Sequence, residues 1–423
     1  MGVRPAVAAG TVLGAALLAA LAACTSSVHG EVTQASPVAG DSSPTTPASV
    51  STSAPPSSAL IDVPTATQNV NPATPVSVSV TGGALTSVRL VTPDGNLVAG
   101  ALATDGSSWT STQPLGYGRT YQLTALATGD DGSTASKSEA LTTLTPDNMT
   151  MPYLNTTGGD SLTNGATYGI GIVPVVHFDE PITDRAAAEN ALEVDTSPHV
   201  DGVWDWIDAQ NVHWRPETFW APGTKVTLTA HLYGLQVGPG LFGQSDVSVS
   251  FKIGAKHVSV ANDKSHQVQV FFNDKLVRTM PTSMGQGGIV QGTNGPVSLW
   301  TMNGTYTVIG HENPAVMSSA SFGIPANSSY GYAPLNVYEA TRISTDGIYL
   351  HSAPWSVGEQ GYSDVSHGCL NLSPDNATWF YNTSQIGDVV VVKNTGGATI
   401  QQWQNGDWSV PWSTWVKGSA LHQ

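Results

Sequence analysis

Only two cysteines occur in the 423 residues. One of them, Cys369, lies in Ser366-His367-Gly368-Cys369-Leu370-Asn371, with His351 upstream. A thiolate is the nucleophile and a thiol is not, so a working cysteine needs a neighbouring base or positive charge. His351 and His367 are the candidates. Gly368 lets the backbone approach a bound acyl group closely. The amides of Gly368 and Cys369 can then serve as an oxyanion hole. His351, His367 and Cys369 also carry the atoms of a zinc site, but zinc leaves the rest of the motif unexplained. The expectation is nucleophilic acyl chemistry with no metal and no organic cofactor.

The elements that position these residues must come from a chain poor in charge. Charged residues are 11% and apolar residues 40%, with 44 Gly and 27 Pro. That composition suits a β-rich exported protein of about two to four domains. The net charge of −16 argues against nucleic acid as a partner, which selects basic patches. It also argues against electrostatic adsorption to anionic lipid.

Residues 1–24 read as a processing segment. Arg4 supplies a positive start, Ala6 to Ala22 an apolar run, and Leu21-Ala22-Ala23-Cys24 looks like a bacterial lipobox. The expectation is lipidation of Cys24 and a chain tethered to the outer face of the membrane; an ordinary signal peptide is the alternative. Residues 25–59, rich in Ser, Thr, Pro and Ala, cannot bury a core and read as a disordered tether.

Residues 60–146 read as an immunoglobulin-like sandwich. Val76 to Val80 alternates with a period of two, with Trp109, Tyr117, Tyr121 and Leu123 as core. Residues 147–254 read as a second β domain with a short helix over Asp184 to Leu192, capped by Thr183 or Asp184. Trp204, Trp206, Trp214 and Trp220 are dense enough for a domain interface, with core packing the alternative. His177, His199, His213 and His231 lack metal-ligand spacing. Residues 255–395 carry the chemistry. Val258-Ser259-Val260 and Val268 to Phe272 are strands, and Asn273-Asp274 is the turn into Leu276-Val277. Ser373-Pro374-Asp375 starts a helix. Val389 to Val392 is a buried strand. Residues 396–423 form an extension with Trp403, Trp408, Trp412 and Trp415, expected to pack on a neighbouring domain or to stack carbohydrate.

The motif at Ser366 to Asn371, preceded by Gly347-Ile348-Tyr349-Leu350-His351-Ser352-Ala353-Pro354-Trp355-Ser356, resembles the active-site signature of L,D-transpeptidases. These are YkuD-fold enzymes that cross-link peptidoglycan. The resemblance is closest to the multidomain actinobacterial type. It implies a mainly β, multidomain chain: two immunoglobulin-like sandwiches, then a YkuD-type β-sandwich with a short helix. It implies Cys369 as nucleophile and His351 as general base, oriented by the backbone carbonyl of Ser352 or of His367, with no Asp, not even Asp364, in a triad. It implies a lid over Met317 to about Tyr338. Tyr332, Met317, Gly347, Ser352, Trp355, Asn371 and Ser366 are the implied substrate-side residues, with Trp355 and Asn371 bracing the site. The implied partner is the peptidoglycan stem peptide, and the implied inhibitor is a carbapenem. An L,D-carboxypeptidase passing the same acyl group to water stays open, as does a non-catalytic wall-spanning scaffold.

Overall fold

The computed structural model describes residues 58–422, which are mainly β. The expected signal segment, Cys24 and nearly all of the expected tether lie outside the described residues. Among the described residues no helix is long and apolar enough to cross a membrane.

Alternation of side chains dictates the first β region. In Ser77–Thr81 the two valines point inward and Ser77, Ser79 and Thr81 outward, as the two-residue period of a strand requires. A four-stranded sheet containing this strand faces a three-stranded one made of Gly83–Val91, Thr120–Gly129 and Thr134–Thr142. Their shared core runs from Ala59 to Leu141. Ser58 and Ala59, expected in the tether, already belong here: the Ser58 hydroxyl donates to Gly82 O and Ala59 is buried. Tyr117, expected as core, instead faces the next β region. Its hydroxyl donates to Gly243 O at 2.7 Å, and its ring lies 5.0 Å from that of Tyr233.

The second region packs two four-stranded sheets over its own core, Leu154 to Ile253. The short helix is Arg185–Asn190, and Asp184 caps it by accepting from Ala187 N. Trp204, Trp206, Trp214 and Trp220 are all buried members of this core, so the interface reading gives way to packing. Indoles fill a core when each N–H finds an acceptor; Trp206 donates to Glu189 and Trp220 to Ile172 O.

The third region holds Cys369. A five-stranded sheet runs in the order Lys275–Pro281, Gln267–Phe272, His257–Asn262, Val389–Lys393, Gly304–Thr307. Asn273 and Asp274 both have positive φ, 48° and 64°, the pair a tight twisted hairpin needs. A second sheet pairs Gly310–Glu312, Ala340–Arg342, Tyr349–Ser352 and Leu370–Leu372. The helix Pro374–Thr383 starts where Ser373 accepts from Asn376 N and Pro374 occupies the first turn. It buries Ala377 and Phe380 against Leu350, Leu370 and Leu372. Burial of Phe380 alone stabilises by about 1.5–3 kcal/mol. This helix therefore clamps the two strands that flank the cysteine.

The C-terminal extension joins regions. Ile400 belongs to the core of the third region. Trp408 Nε1 donates to Gly171 O and Trp415 Nε1 to Val203 O, both in the second region. The buried guanidinium of Arg215 lies 4.9, 5.3 and 4.3 Å from the rings of Trp408, Trp412 and Trp415. These three rings thus lie against an arginine, Trp415 fully buried and Trp408 and Trp412 half-buried, while Trp403 is exposed.

Candidate active site

The parallel pairing of Tyr349–Ser352 with Leu370–Leu372 brings the two halves of the motif together. Leu350 pairs with Leu370 and His351 with Asn371. One residue before that strand, Cys369 falls level with Tyr349, against which it packs together with Met317. Gly368, immediately before the nucleophile, has φ of 137°, a conformation that side chains resist. Its carbonyl accepts from Thr301 Oγ1 at 2.8 Å.

His351 is 4% exposed, and its Nδ1–H donates to Ser352 O at 3.0 Å. Of the two carbonyls left open by the motif, Ser352 is the one that orients the ring. A donor at Nδ1 makes Nε2 the free base. Burial pushes the imidazole down to about 4, with the Ser352 carbonyl pulling the other way. Burial likewise pushes the Cys369 thiol up to about 11; a hydrogen bond from the Tyr349 backbone opposes this and the Asp346 charge adds to it. Burial thus favours the uncharged form of both groups. The thiol donates to Gly347 O at 3.6 Å.

His367 does different work from that expected. Its Nε2–H donates to Tyr330 O at 2.9 Å, and its ring lies 6.0 and 5.3 Å from those of Phe322 and Tyr332. It holds the segment between Met317 and Tyr338. Tyr332 reaches the same neighbourhood; burial first, then the Cys369 charge, raise its hydroxyl to about 12. Gly368 N–H, expected as an oxyanion donor, instead donates to Ser366 Oγ at 3.0 Å. The Ser366 hydroxyl in turn donates to Cys369 O at 2.6 Å. Asn371 is buried and donates to Ser356 Oγ at 3.0 Å. Ser366 and Asn371 thus brace the loop through their side chains, the bracing expected of Asn371. Trp355 is 59% exposed, its ring 6.1 Å from that of His351.

A rail of residues with no obvious chemistry sets the loop in place. Ser283 exchanges backbone hydrogen bonds with Asn371, and its hydroxyl accepts from Val365 N. Thr282 Oγ1 donates to Asn371 O, and Ser366 N to Met284 O. The stretch Met280 to Gly285 resembles the family's element before the substrate cleft, but Thr301 is a residue that motif reading missed; a lone buried hydroxyl carries no signal in one sequence. Asp364 accepts from Met284 N at 2.7 Å and lies 3.2 Å from His266 Nδ1. With Asp263 these make the one group of three potential metal ligands among the described residues. Burial and the Asp364 carboxylate raise Asp263 to about 6, as expected of two carboxylates sharing a site.

Known proteins resemble this chain along most of its length. Residues 67–236 match the bacterial Ig domain, and residues 256–392 match the L,D-transpeptidase catalytic domain. L,D-transpeptidase 2 of Mycobacterium tuberculosis is 42% identical over 347 residues, covering 82% of this chain and 81% of the relative. The chain belongs to the L,D-transpeptidase family. L,D-transpeptidase 5 of the same organism is 37% identical over 360 residues, covering 84% of the chain and 75% of the relative. Among solved structures, the LD transpeptidase LdtMt1 in complex with imipenem is 34% identical, with a TM-score of 0.47. It covers 57% of this chain and 99% of that one. Members of the L,D-transpeptidase family are enzymes with a cysteine nucleophile that act on peptidoglycan peptide stems. In this chain Cys369 is the one cysteine among the described residues, and it lies within the matched catalytic segment.

Proposed function

We propose that this protein forms 3→3 peptidoglycan cross-links through a Cys369 acyl-enzyme. The observation that carries the proposal is the His351 ring, buried and oriented by Ser352 O on a strand paired with Leu370–Leu372, which Cys369 immediately precedes. In the first step His351 Nε2 takes the thiol proton as sulfur attacks the carbonyl of the third stem residue. The oxyanion is met by the Cys369 amide, and by the Gly368 amide if the Ser366 hydroxyl releases it. His351 then protonates the departing D-Ala amine as the C–N bond breaks, leaving a thioester. An acceptor amine attacks the thioester, His351 takes its proton, and the thiol is restored. A neutral thiol–imidazole pair suits this sequence, because the proton moves only when an electrophile is present. Met317, Tyr332, Gly347 and the exposed Trp355 face the substrate. A carbapenem, as a strained acyl donor, acylates the same sulfur.

The chain is read as two immunoglobulin-like spacers over 60–146 and 147–254, a catalytic domain over 255–395 and a C-terminal extension. Lipid on Cys24 anchors it outside the cell membrane. The test is the full chain incubated with disaccharide-tetrapeptide, with products read by mass spectrometry beside Cys369→Ala. A Cys369-dependent 3→3 dimer supports the transpeptidase. Tripeptide without dimer makes water the acceptor and the enzyme a carboxypeptidase. No Cys369-dependent product overturns both and leaves the scaffold.

A further inference from the structure

The Cys369 thiol rests on a carbonyl, and that carbonyl belongs to a loop gripped by the C-terminal extension. Gly347 O, 3.6 Å from Sγ, accepts from S–H but repels S⁻. Its loop turns with φ of 100° at Gly347. The neighbouring Asp346 carboxylate is held from two sides: by the Ser344 hydroxyl on Oδ1 and by the Gln404 amide on Oδ2, each at 2.5 Å. Thr345 repeats the connection, its hydroxyl donating to Trp403 O at 2.8 Å. Asn405, next in the extension, donates to Ile343 O at 2.7 Å. Both groups on the carboxylate are neutral donors, a hydroxyl and an amide.

We propose that Asp346, clamped by Gln404, is a positioning residue that holds the Gly347 carbonyl on the Cys369 thiol and keeps that sulfur protonated until an acyl donor is bound. The proposal deepens the function proposed above and rests on Cys369 being the nucleophile. The other groups around the sulfur do not supply this charge. Tyr349 donates to Glu312 at 2.9 Å with Arg342 over its ring. Tyr332 is held neutral, His351 is buried and neutral, and His367 is engaged with Tyr330 O. The Asp346 charge acts in the same direction as burial on the thiol.

The experiment is alkylation of the full chain by iodoacetamide from about pH 7 to pH 12, across the midpoint near 11, read on the Cys369 peptide by mass spectrometry. Asp346→Asn removes the charge and keeps the shape. Its alkylation midpoint should move to lower pH, raising the rate at pH 8 about threefold or more, half a pKa unit or above. An unmoved midpoint in folded protein overturns the proposal. So does an equal rise at every pH, which reports a merely loosened loop. If Asp346→Asn fails to fold, Gln404→Met carries the test: the freed carboxylate turns to solvent, and the midpoint should fall by a smaller amount. No fall in folded Gln404→Met overturns the clamp. Alkylation requires no turnover, so failure of the cross-linking reading shows separately, as wild-type protein that alkylates but makes no dimer.

Discussion

Two buried polar clusters in this protein treat charge in opposite ways. Around Cys369 and His351, burial suppresses ionisation of both groups. Around Arg215, 2% exposed, ions persist: burial lowers the guanidinium only to about 10, because Asp407, Asp205 and Glu217 oppose it. Arg215 donates to Val410 O at 2.7 Å, and Asp407 lies 3.0 Å from His213 Nδ1. Three indole faces complete the surroundings. The first cluster is left neutral and so keeps a reaction in reserve. The second keeps its cation among indole faces and a backbone carbonyl, and so holds the extension to the second β region. Isolated buried ions are destabilising and paired ones are tolerated, so a site that must react later is best kept uncharged.

The contrast breaks if the wrong cluster controls activity. Cys369→Ala should reduce cross-link formation by about 10⁴-fold or more, roughly 5.5 kcal/mol of barrier. Its melting temperature should stay close to the parent value. An unstable Cys369→Ala would make the thiol a packing residue instead.

Arg215→Ala should do the reverse. Leaving Asp407 and Asp205 buried without their cation costs about 3–5 kcal/mol of stability, measured by urea unfolding. Protein that does fold should retain its rate of acylation by a carbapenem. Arg215→Met, which keeps stem and volume, should be the milder change.

A third expectation concerns pH. The folded pKa of His351 is near 4, below the ordinary value of 6.5, so the unfolded chain binds the proton first on acidification. The His351 contribution is whole above pH 6.5 and is lost as pH falls toward 4, by up to about 3 kcal/mol. His351→Asn should flatten that part of the stability profile. Acylation of the parent should likewise keep its acid limb well below pH 6. A limb centred at 6.5 would mean an exposed imidazole and would erase the contrast between the clusters.

The smallest effect belongs to the link between them. Asn405 donates to Thr307 O and Ile343 O and accepts from Thr157 and Thr307 hydroxyls. Asn405→Ala should cost about 1–3 kcal/mol by urea unfolding. A neutral outcome would show that the extension grips without it.

Much of the fold was legible before any coordinates. Alternation in Ser77–Thr81, the Asn273-Asp274 turn and the Ser373-Pro374 helix start are local patterns, and local sterics and hydrogen bonds decide them. Tyr117 shows the limit. Its spacing fits a core position, yet its hydroxyl finds Gly243 more than a hundred residues away. The tryptophans of the second region and of the extension divide the same way. Composition announced burial, and only packing showed that one set lines a core while three of the other set surround Arg215.

The family and the two candidate reacting residues were written in two short segments, which the parallel pairing of Tyr349–Ser352 with Leu370–Leu372 brings side by side. What the partners of that motif do was decided in three dimensions. His367 stands two residues from Cys369, yet the backbone carbonyl of Tyr330 claims its ring nitrogen. Gly368 N–H was free to face an oxyanion until the Ser366 hydroxyl took it. Asp346 carried no signal until Gln404 came to meet it from the C-terminal extension. Each outcome depends on which acceptor or donor the folded chain brings within hydrogen-bond reach, and a buried polar group takes the partner that packing supplies.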